Sequence, residues 1–285
     1  MKTDGIHLAG WWLLLALVLV ISLVFWKRDT LAWYWQASKT NLMRQDLASK
    51  MLANVYRAPS GHVEMPYRLF VPEQIEKSGD TRYPIILALH SGAGRGSDNL
   101  QQLDRTIEIL LSKELQGIEP VFVLAPQAKR WTHWVNYDKF TPPFENFSHQ
   151  KIPQSENLIT AVKILRLVIK QYPIDPSRVY ITGISMGGEG AWDAVCYYPD
   201  LFAAAIILNG AADPLAVANT KQMPIRFFHG DKDTITPVAN SREINKSITQ
   251  HNKNAHYTEI KDAGHNIRDR VYSTDLFTWL LKQRR

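Results

Sequence analysis

Three side chains of the kinds that cleave acyl bonds stand late in the sequence, each at the end of a predicted strand. Segment 183–187 reads Gly-Ile-Ser-Met-Gly and fits the pattern G-x-S-x-G, with Ser185 at its centre. A serine hydroxyl is a poor nucleophile at neutral pH and needs a base beside it. His265 is the candidate base, because it lies between the last predicted strand and the last predicted helix. A carboxylate must hold such a base in the right tautomer, and Asp233 is favoured over Asp231 because it lies deeper in its loop.

The context of Ser185 strengthens this interpretation of its motif. The segment follows a predicted strand, 179–182, and opens a predicted helix, 187–198. This strand–turn–helix setting lifts a serine hydroxyl above a sheet. Glycines at 183 and 187 fit the turn, because a Cβ at either position would collide with the turn or with the adjacent helix. The alternative is a glycine-rich turn that carries an incidental serine.

An acyl-transfer site must also stabilise a tetrahedral oxyanion, and each hydrogen-bond donor in such a site is worth roughly 3–4 kcal/mol. One predicted donor is the backbone N–H of Met186, at the start of the helix. The second is predicted to be the N–H of Ser91, with Gly92 as the alternative, in the glycine-rich loop 90–96. That loop could instead bind phosphate. Against this, no Gly-Lys-Ser/Thr follows and the spacing is not G-x-G-x-x-G.

A framework that brings these residues together is indicated from residue 62 onward, where strands and helices alternate. The pattern predicts an α/β fold with a mostly parallel sheet and helices on both faces. In such sheets the working residues lie beyond the carboxyl ends of the strands. The predicted strands are 63–71, at an edge, and 84–89, 121–125, 179–183, 204–208, 225–228 and 256–260; the predicted helices are 100–115, 155–172, 187–198, 238–250 and 271–282.

Residues 63–285 resemble the α/β-hydrolase family of serine esterases, in the branch that holds poly(3-hydroxybutyrate) depolymerases, feruloyl and acetylxylan esterases and predicted peptidases. The resemblance implies an α/β-hydrolase fold, with Ser185, Asp233 and His265 as nucleophile, acid and base. The branch usually reads His-Gly where this chain has His90-Ser91, but a backbone donor does not depend on its side chain. The matching stretches are 67–72, 90–99, 183–188, 229–237 and 264–266, in the family's order.

The stretch 125–154 lacks clear periodicity and is rich in aromatic residues. Loops of this length are usually functional or disordered, and the aromatic content argues against disorder. One hypothesis is that Trp131 and Trp134 form a substrate-binding wall, which stacks on an aromatic or sugar ring near Ser185. The alternative is a flap that only covers a sheet edge.

The N-terminal part of the chain is predicted to anchor it in a membrane. Residues 8–26 are 19 consecutive residues without a charge. A helix of this length spans about 28 Å, close to the hydrocarbon thickness of a bilayer. A cleaved signal peptide is the alternative, but its apolar core is normally shorter and is followed by small residues. Lys27 and Arg28 follow the run. By the positive-inside rule, these charges weakly favour a catalytic domain on the cytoplasmic side of the membrane, and they do not decide the side.

Three segments follow from these patterns: a membrane anchor over 1–28, a juxtamembrane helical segment over 29–61 and a catalytic domain over 62–285. Within the second segment, residues 31–57 are predicted to be helical. Leu47, Met51 and Val55 recur there at i, i+4 and i+8. The helix would either lie on anionic lipid, or serve as a stalk or pack on the main domain.

Charge and composition exclude several functional classes. The net charge is +6, and residues 1–60 carry seven Lys/Arg against three Asp. The rest therefore has no basic excess of the kind that nucleic-acid-binding domains show. The single cysteine, Cys196, rules out an internal disulfide and is predicted to be a core residue. We find no metal constellation and no cofactor motif.

The sequence therefore predicts a membrane-anchored serine hydrolase that acts on carboxylic esters through an acyl-enzyme. Only 16 residues, 209–224, separate two predicted strands, which is too few for a large lid domain. The alternatives are a serine peptidase on the same residues, and a membrane-tethered interaction protein without activity.

Overall fold

The computed structural model describes residues 36–61, 63–76, 79–137 and 140–285. The apolar run 8–26, predicted to anchor the chain, lies outside the described residues. Within these ranges, no helix has both the length and the apolar character needed to span a membrane. The chain divides into two units between Asp46 and Leu47. The first is helical where it is described, and the second contains the sheet.

The helix predicted over 31–57 is wrong from Leu52 onward. Residues 36–49 are helical (α1), and β1 (Leu52–Arg57) follows as a strand. β1 forms an antiparallel hairpin with β2 (Glu64–Phe70), from Leu52 opposite Leu69 to Arg57 opposite Glu64. The i, i+4, i+8 stripe was misleading because its last member, Val55, is 40% exposed on the hairpin.

One sheet of eight strands forms the body of the second unit, in the order β1-β2-β4-β3-β5-β6-β7-β8. β2 pairs antiparallel with both neighbours, and the pairs from β4 to β8 are parallel. The predicted mostly parallel sheet is confirmed, although β1 rather than β2 lies at the edge. The remaining strands are β3 (Tyr83–Leu89), β4 (Phe122–Pro126), β5 (Ile174–Ile184), β6 (Ala204–Leu208), β7 (Ile225–Gly230) and β8 (Ala255–Ile260).

Three of the five predicted helices are present as single helices, and each of the other two is divided. The predicted helix 100–115 is two short helices, because Asp104 and Ser112 each cap a new helix start. The predicted closing helix 271–282 is likewise preceded by a separate turn and begins anew at Ser273. The helices are α2 (Arg105–Leu110), α3 (Lys113–Gln116), α4 (Glu156–Gln171), α5 (Met186–Tyr197), α6 (Ala239–Ile248), α7 (Arg268–Val271) and α8 (Thr274–Leu281).

The core is continuous around the central strands. Every residue of β3, β4 and β6 is buried, as the apolar runs in the sequence predict. The first eleven residues of α5 are buried as well, including Cys196, which is 4% exposed. Helix α5 is therefore packed into the core along almost its whole length, directly after the turn that carries Ser185.

Candidate active site

Ser185 sits on a sharp turn between β5 and α5. Its backbone has φ 58° and ψ −127°, in the left-handed half of conformational space that a residue with a Cβ rarely adopts. The Ser185 N–H donates to the carbonyl of Leu208 at 2.9 Å. Strain of this kind persists only where the surroundings impose it. Here the surroundings are backbone, since a Cβ on Gly183 would lie 2.2 Å from the Gly187 carbonyl oxygen and one on Gly187 would lie 2.0 Å from that of Leu89.

His265 and Asp233, predicted as base and acid, lie within hydrogen-bond distance. His265 Nδ1 is 2.7 Å from Asp233 Oδ2, and the Asp233 side chain is fully buried. The other carboxylate oxygen, Oδ1, accepts the N–H groups of Ile235 and Thr236 at 2.8 and 3.0 Å. An ionised carboxylate only accepts, so Nδ1 carries the proton and Nε2 is left as the basic nitrogen.

Burial alone would raise the pKa of Asp233, but hydrogen bonds from two histidines and the backbone hold this pKa well below its ordinary value. The second histidine is His229, whose Nε2 lies 3.3 Å from Asp233 Oδ2 and whose Nδ1 lies 2.7 Å from Ser241 Oγ. The carboxylate therefore stays charged at neutral pH and can stabilise a cation on His265. Asp231, the alternative acid, instead accepts the N–H of Ala263 at 3.1 Å.

Asn209, which the sequence analysis did not single out, connects the loops that carry Ser185, Asp233 and His265. It is fully buried and has φ 48°. Its side-chain NH₂ donates to the carbonyl of His265, and its Oδ1 accepts the N–H of Gly230 at 3.1 Å. It directly follows Leu208, the acceptor of the Ser185 N–H. The signal was present in the sequence, because Asn209 is the first residue after a buried parallel strand.

The predicted oxyanion donors lie on two segments that touch each other. Met186 is the first residue of α5, so its N–H has no acceptor within the helix. Ser91 and Gly92 are half-buried and follow β3 at a short turn, in which the Gly94 N–H donates to the Ser91 carbonyl at 2.9 Å. The two segments meet at Gly187, where an added Cβ would lie 2.9 Å from the His90 carbonyl oxygen. Both candidate donors are therefore adjacent to the Ser185 turn.

The structure contradicts the prediction that Trp134 forms a substrate-binding wall. Trp134 is fully buried, and its indole N–H donates to the carbonyl of His90 at 3.0 Å. His90 in turn accepts the Ala128 N–H at Nε2, and burial lowers its pKa to about 4. A neutral histidine and an indole thus fix the loop that carries Ser91. Trp131 is 79% exposed, so its predicted contact with substrate stays a prediction.

The described part of the aromatic loop, residues 127–137 and 140–154, is tied to α5 and α6. His149 Nε2 lies 2.6 Å from Asp193 Oδ1 on α5. Asn146 donates to the Asn240 carbonyl at the start of α6 and accepts the Ala212 N–H. Burial alone would lower the pKa of His149, but the bond to Asp193 raises it above its ordinary value. In the part of the chain described, no group of three His, Cys, Asp or Glu side chains could hold a metal ion.

Comparison with known proteins decides the family. A family model for phospholipases and carboxylesterases matches residues 114–274, more than half of the chain. The chain belongs to the phospholipase/carboxylesterase family. The resemblance to serine esterases with the α/β-hydrolase fold, first seen in the motifs, is thereby confirmed.

Individual members of related esterase groups are similar to this carboxylesterase-family chain. A solved thermostable esterase is 33% identical, with a TM-score of 0.72, and the match covers 83% of this chain and 64% of that chain. A protein described as probable acetylxylan esterase A, from Aspergillus clavatus, is 31% identical over 86 residues, 29% of this chain and 28% of its own length. A solved ferulic acid esterase from Anaeromyces mucronatus shares the fold at 15% identity, with a TM-score of 0.59 and coverage of 82% and 90%. The chain thus spans less than two thirds of the length of each of the first two relatives.

Proposed function

We propose that this protein hydrolyses carboxylic esters with Ser185 as nucleophile, His265 as general base and Asp233 as the carboxylate that orients it. The observation that carries the proposal is the bond from His265 Nδ1 to the buried Asp233, which leaves Nε2 as the basic nitrogen, and the strained turn at Ser185 adds support. Membership of the phospholipase/carboxylesterase family supports ester bonds as the target.

The reaction proceeds in two halves. His265 Nε2 takes the proton of Ser185 Oγ while Oγ attacks the ester carbonyl, and the negative charge on the carbonyl oxygen is held by the N–H groups of Met186 and Ser91. Collapse of this intermediate breaks the ester bond, and His265 gives its proton to the leaving alcohol. Water then attacks the acyl-enzyme by the same route. Each oxyanion donor contributes roughly 3–4 kcal/mol to the transition state.

The decisive experiment compares the protein with its Ser185→Ala variant on p-nitrophenyl acetate and butyrate, and with a fluorophosphonate probe. We expect the native protein to turn over both esters and to be labelled once. The variant should not be labelled, and its kcat should be at least 1,000-fold lower, because the nucleophile is absent. Ser177→Ala, at a half-buried hydroxyl near the start of β5 that donates to Asp175 Oδ1 at 2.6 Å, serves as control. A folded native protein that neither labels nor turns over would contradict the proposal.

We further propose that residues 8–26 anchor the enzyme in a membrane as a single span. The length of the uncharged run and the tryptophans at its ends support this proposal. Its substrates would then be esters that reach the surface of that membrane.

A further inference from the structure

Arg95 lies on the loop that carries Ser91 and is folded back over it. Its Nε–H donates to the Gly92 carbonyl at 2.9 Å. An added Cβ on Gly92 would lie 2.8 Å from an Nη atom of Arg95, so the guanidinium covers the residue next to the proposed oxyanion donor. The same loop touches the Ser185 turn, since an added Cβ on Gly187 would lie 2.9 Å from the His90 carbonyl oxygen.

The guanidinium has no negative partner at this position. It is half-buried, and it makes no ion pair with any carboxylate among the described residues. The acid that faces it, Glu189, is 1% exposed, and burial together with the charge of Asp193 raises its pKa to about 8. Burial therefore favours the neutral form of Glu189, although the charge of Arg95 acts in the opposite direction, and Glu189 forms no ion pair with Arg95.

The one carboxylate on the Arg95 loop, Asp98, is held by other donors, since its Oδ1 accepts the Gln127 side-chain N–H at 2.8 Å and the backbone N–H groups of Leu100 and Gln101 at 3.0 and 3.1 Å. The N–H of Gly96 donates to the Ala128 carbonyl at 2.9 Å, which places the next residues, Lys129 and Arg130, beside the Arg95 loop. Both are exposed and form no ion pair with a described residue. A partly desolvated guanidinium with free N–H donors is a ready site for a carboxylate, because a charge-assisted pair then replaces lost hydration.

We propose that Arg95 binds a carboxylate carried by the substrate, so that the enzyme prefers anionic esters to neutral ones. The inference rests on the proposed function and names its substrate class. The carboxylate lies in either the acyl or the alcohol part of the ester, and the guanidinium positions it beside the oxyanion loop. Arg95 is in this sense a specificity-determining residue, since it touches the substrate away from the bond that breaks.

The test uses two matched pairs of esters and the full-length protein. The acyl-side pair is p-nitrophenyl hemisuccinate and p-nitrophenyl butyrate, and the alcohol-side pair is 4-acetoxybenzoate and 4-acetoxybenzamide. The measured quantity is the ratio of kcat/KM for the anionic ester to that for the neutral ester. In at least one pair, Arg95→Gln should lower this ratio 10-fold or more through KM, and Arg95→Lys, which keeps the charge but loses the bond to Gly92, should lower it less than 5-fold.

Arg130→Gln is the matched control, because it removes the same charge from the neighbouring segment. It should change the ratio less than 2-fold. The proposal is overturned if Arg95→Gln leaves both ratios within 2-fold, if it lowers both members of each pair equally, as loss of support for Gly92 would, or if Arg130→Gln has the same effect.

A binding measurement separates this inference from the proposed function. Glutarate is titrated calorimetrically into the Ser185→Ala protein, with and without Arg95→Gln. A 10-fold weaker binding in the double variant supports the carboxylate site even if the native protein turns over no ester. Equal binding, or none to either protein, overturns it.

Discussion

At the scale of single residues, the proposed catalytic groups depend on side chains that take no part in the chemistry. Asn209 holds the carbonyl of His265 and the N–H of Gly230, and it follows the residue that accepts the Ser185 N–H. A small displacement of any of these groups weakens proton transfer steeply, because general-base catalysis requires hydrogen-bond distances. Asn209 is thus expected to act through His265, as a positioning residue.

The replacement Asn209→Ala should lower kcat about 10- to 100-fold with little change in KM, because His265 loses a fixed backbone position. Stability should fall by about 1–3 kcal/mol, since buried hydrogen-bond partners are left unpaired. Steady-state kinetics and urea denaturation measure the two effects.

The control is Asn252→Ala. Asn252 is also fully buried, and it donates to the Met223 carbonyl at 2.8 Å. It should destabilise by a similar amount and leave kcat unchanged. A loss of kcat in both variants, in step with stability, would show that Asn209 has only a structural role.

The residues with a local signature were predictable from the sequence, and those with only a spatial role were not. Ser185 stands in a five-residue motif, and the strand-end rule pointed to Asp233 and His265. Trp134 was misassigned because an aromatic residue in a loop looks the same in sequence whether it faces solvent or the core. Its indole N–H donates to the His90 carbonyl, 44 residues away in the chain, a contact that no local pattern indicates.

At the scale of elements, α5 combines the nucleophile turn with a buried carboxyl group. Glu189, in its first turn, has a pKa raised from 4.5 to about 8, chiefly by burial. Between pH 4.5 and 8, Glu189 is therefore protonated in a larger fraction of the folded molecules than of the unfolded ones. The contribution of Glu189 to the free energy of unfolding therefore falls as the pH rises from 4.5 to 8.

This linkage predicts that Glu189→Gln, which mimics the protonated acid, flattens the pH dependence of stability. Between pH 5 and 8 the native protein should lose as much as about 4 kcal/mol relative to the variant. Urea denaturation at pH 5, 6.5 and 8 measures the difference. Glu156→Gln, at an exposed acid in the first turn of α4, should keep the native slope. Parallel curves for the native and Glu189→Gln proteins would refute the prediction.

Strands were easier to predict than helix boundaries, for a physical reason. The runs at 84–89 and 204–208 are apolar throughout, which is typical of strands buried on both faces. The helical stripe at 100–115 was interrupted by Asp104 and Ser112, whose side chains bond the backbone and start new helices. The stripe through Val55 failed because pairing with β2, which is set by tertiary structure, outweighed local periodicity.

At the scale of the whole molecule, β1 completes the sheet from the N-terminal side. It covers the edge of β2, and Arg68 on β2 donates to the carbonyls of Ala48 and Met51 just before β1. Leu47 and Met51 are buried at 2% and 5% exposure. The unit that contains the sheet therefore begins at Leu47, well before residue 62, where the sequence analysis places the start of the catalytic domain.

Two shortened chains test this boundary together with the proposed anchor. A chain that starts at Leu47 should leave the membrane fraction, in which the full-length protein is expected, and should remain monomeric and active. A chain that starts at Ser60 should be less stable by about 3 kcal/mol or more, because it loses two buried side chains. It should also associate through the bared edge of β2.

Membrane fractionation, light scattering and urea denaturation give the readouts for both shortened chains. A Leu47 chain that still sediments with membranes would contradict the anchor. Equal stability of the two chains would contradict the boundary.

Cys196 gives the molecule a property separate from the proposed hydrolysis. It is the only thiol in the chain, it lies near the end of α5, and burial raises its pKa. A thiol reagent can reach it only when the packing around the end of α5 opens. The rate at which a thiol reagent labels Cys196 in the unaltered protein therefore reports how often the packing around this helix opens. The stabilising effect of a covalent adduct on Ser185 can then be measured as the decrease in that labelling rate.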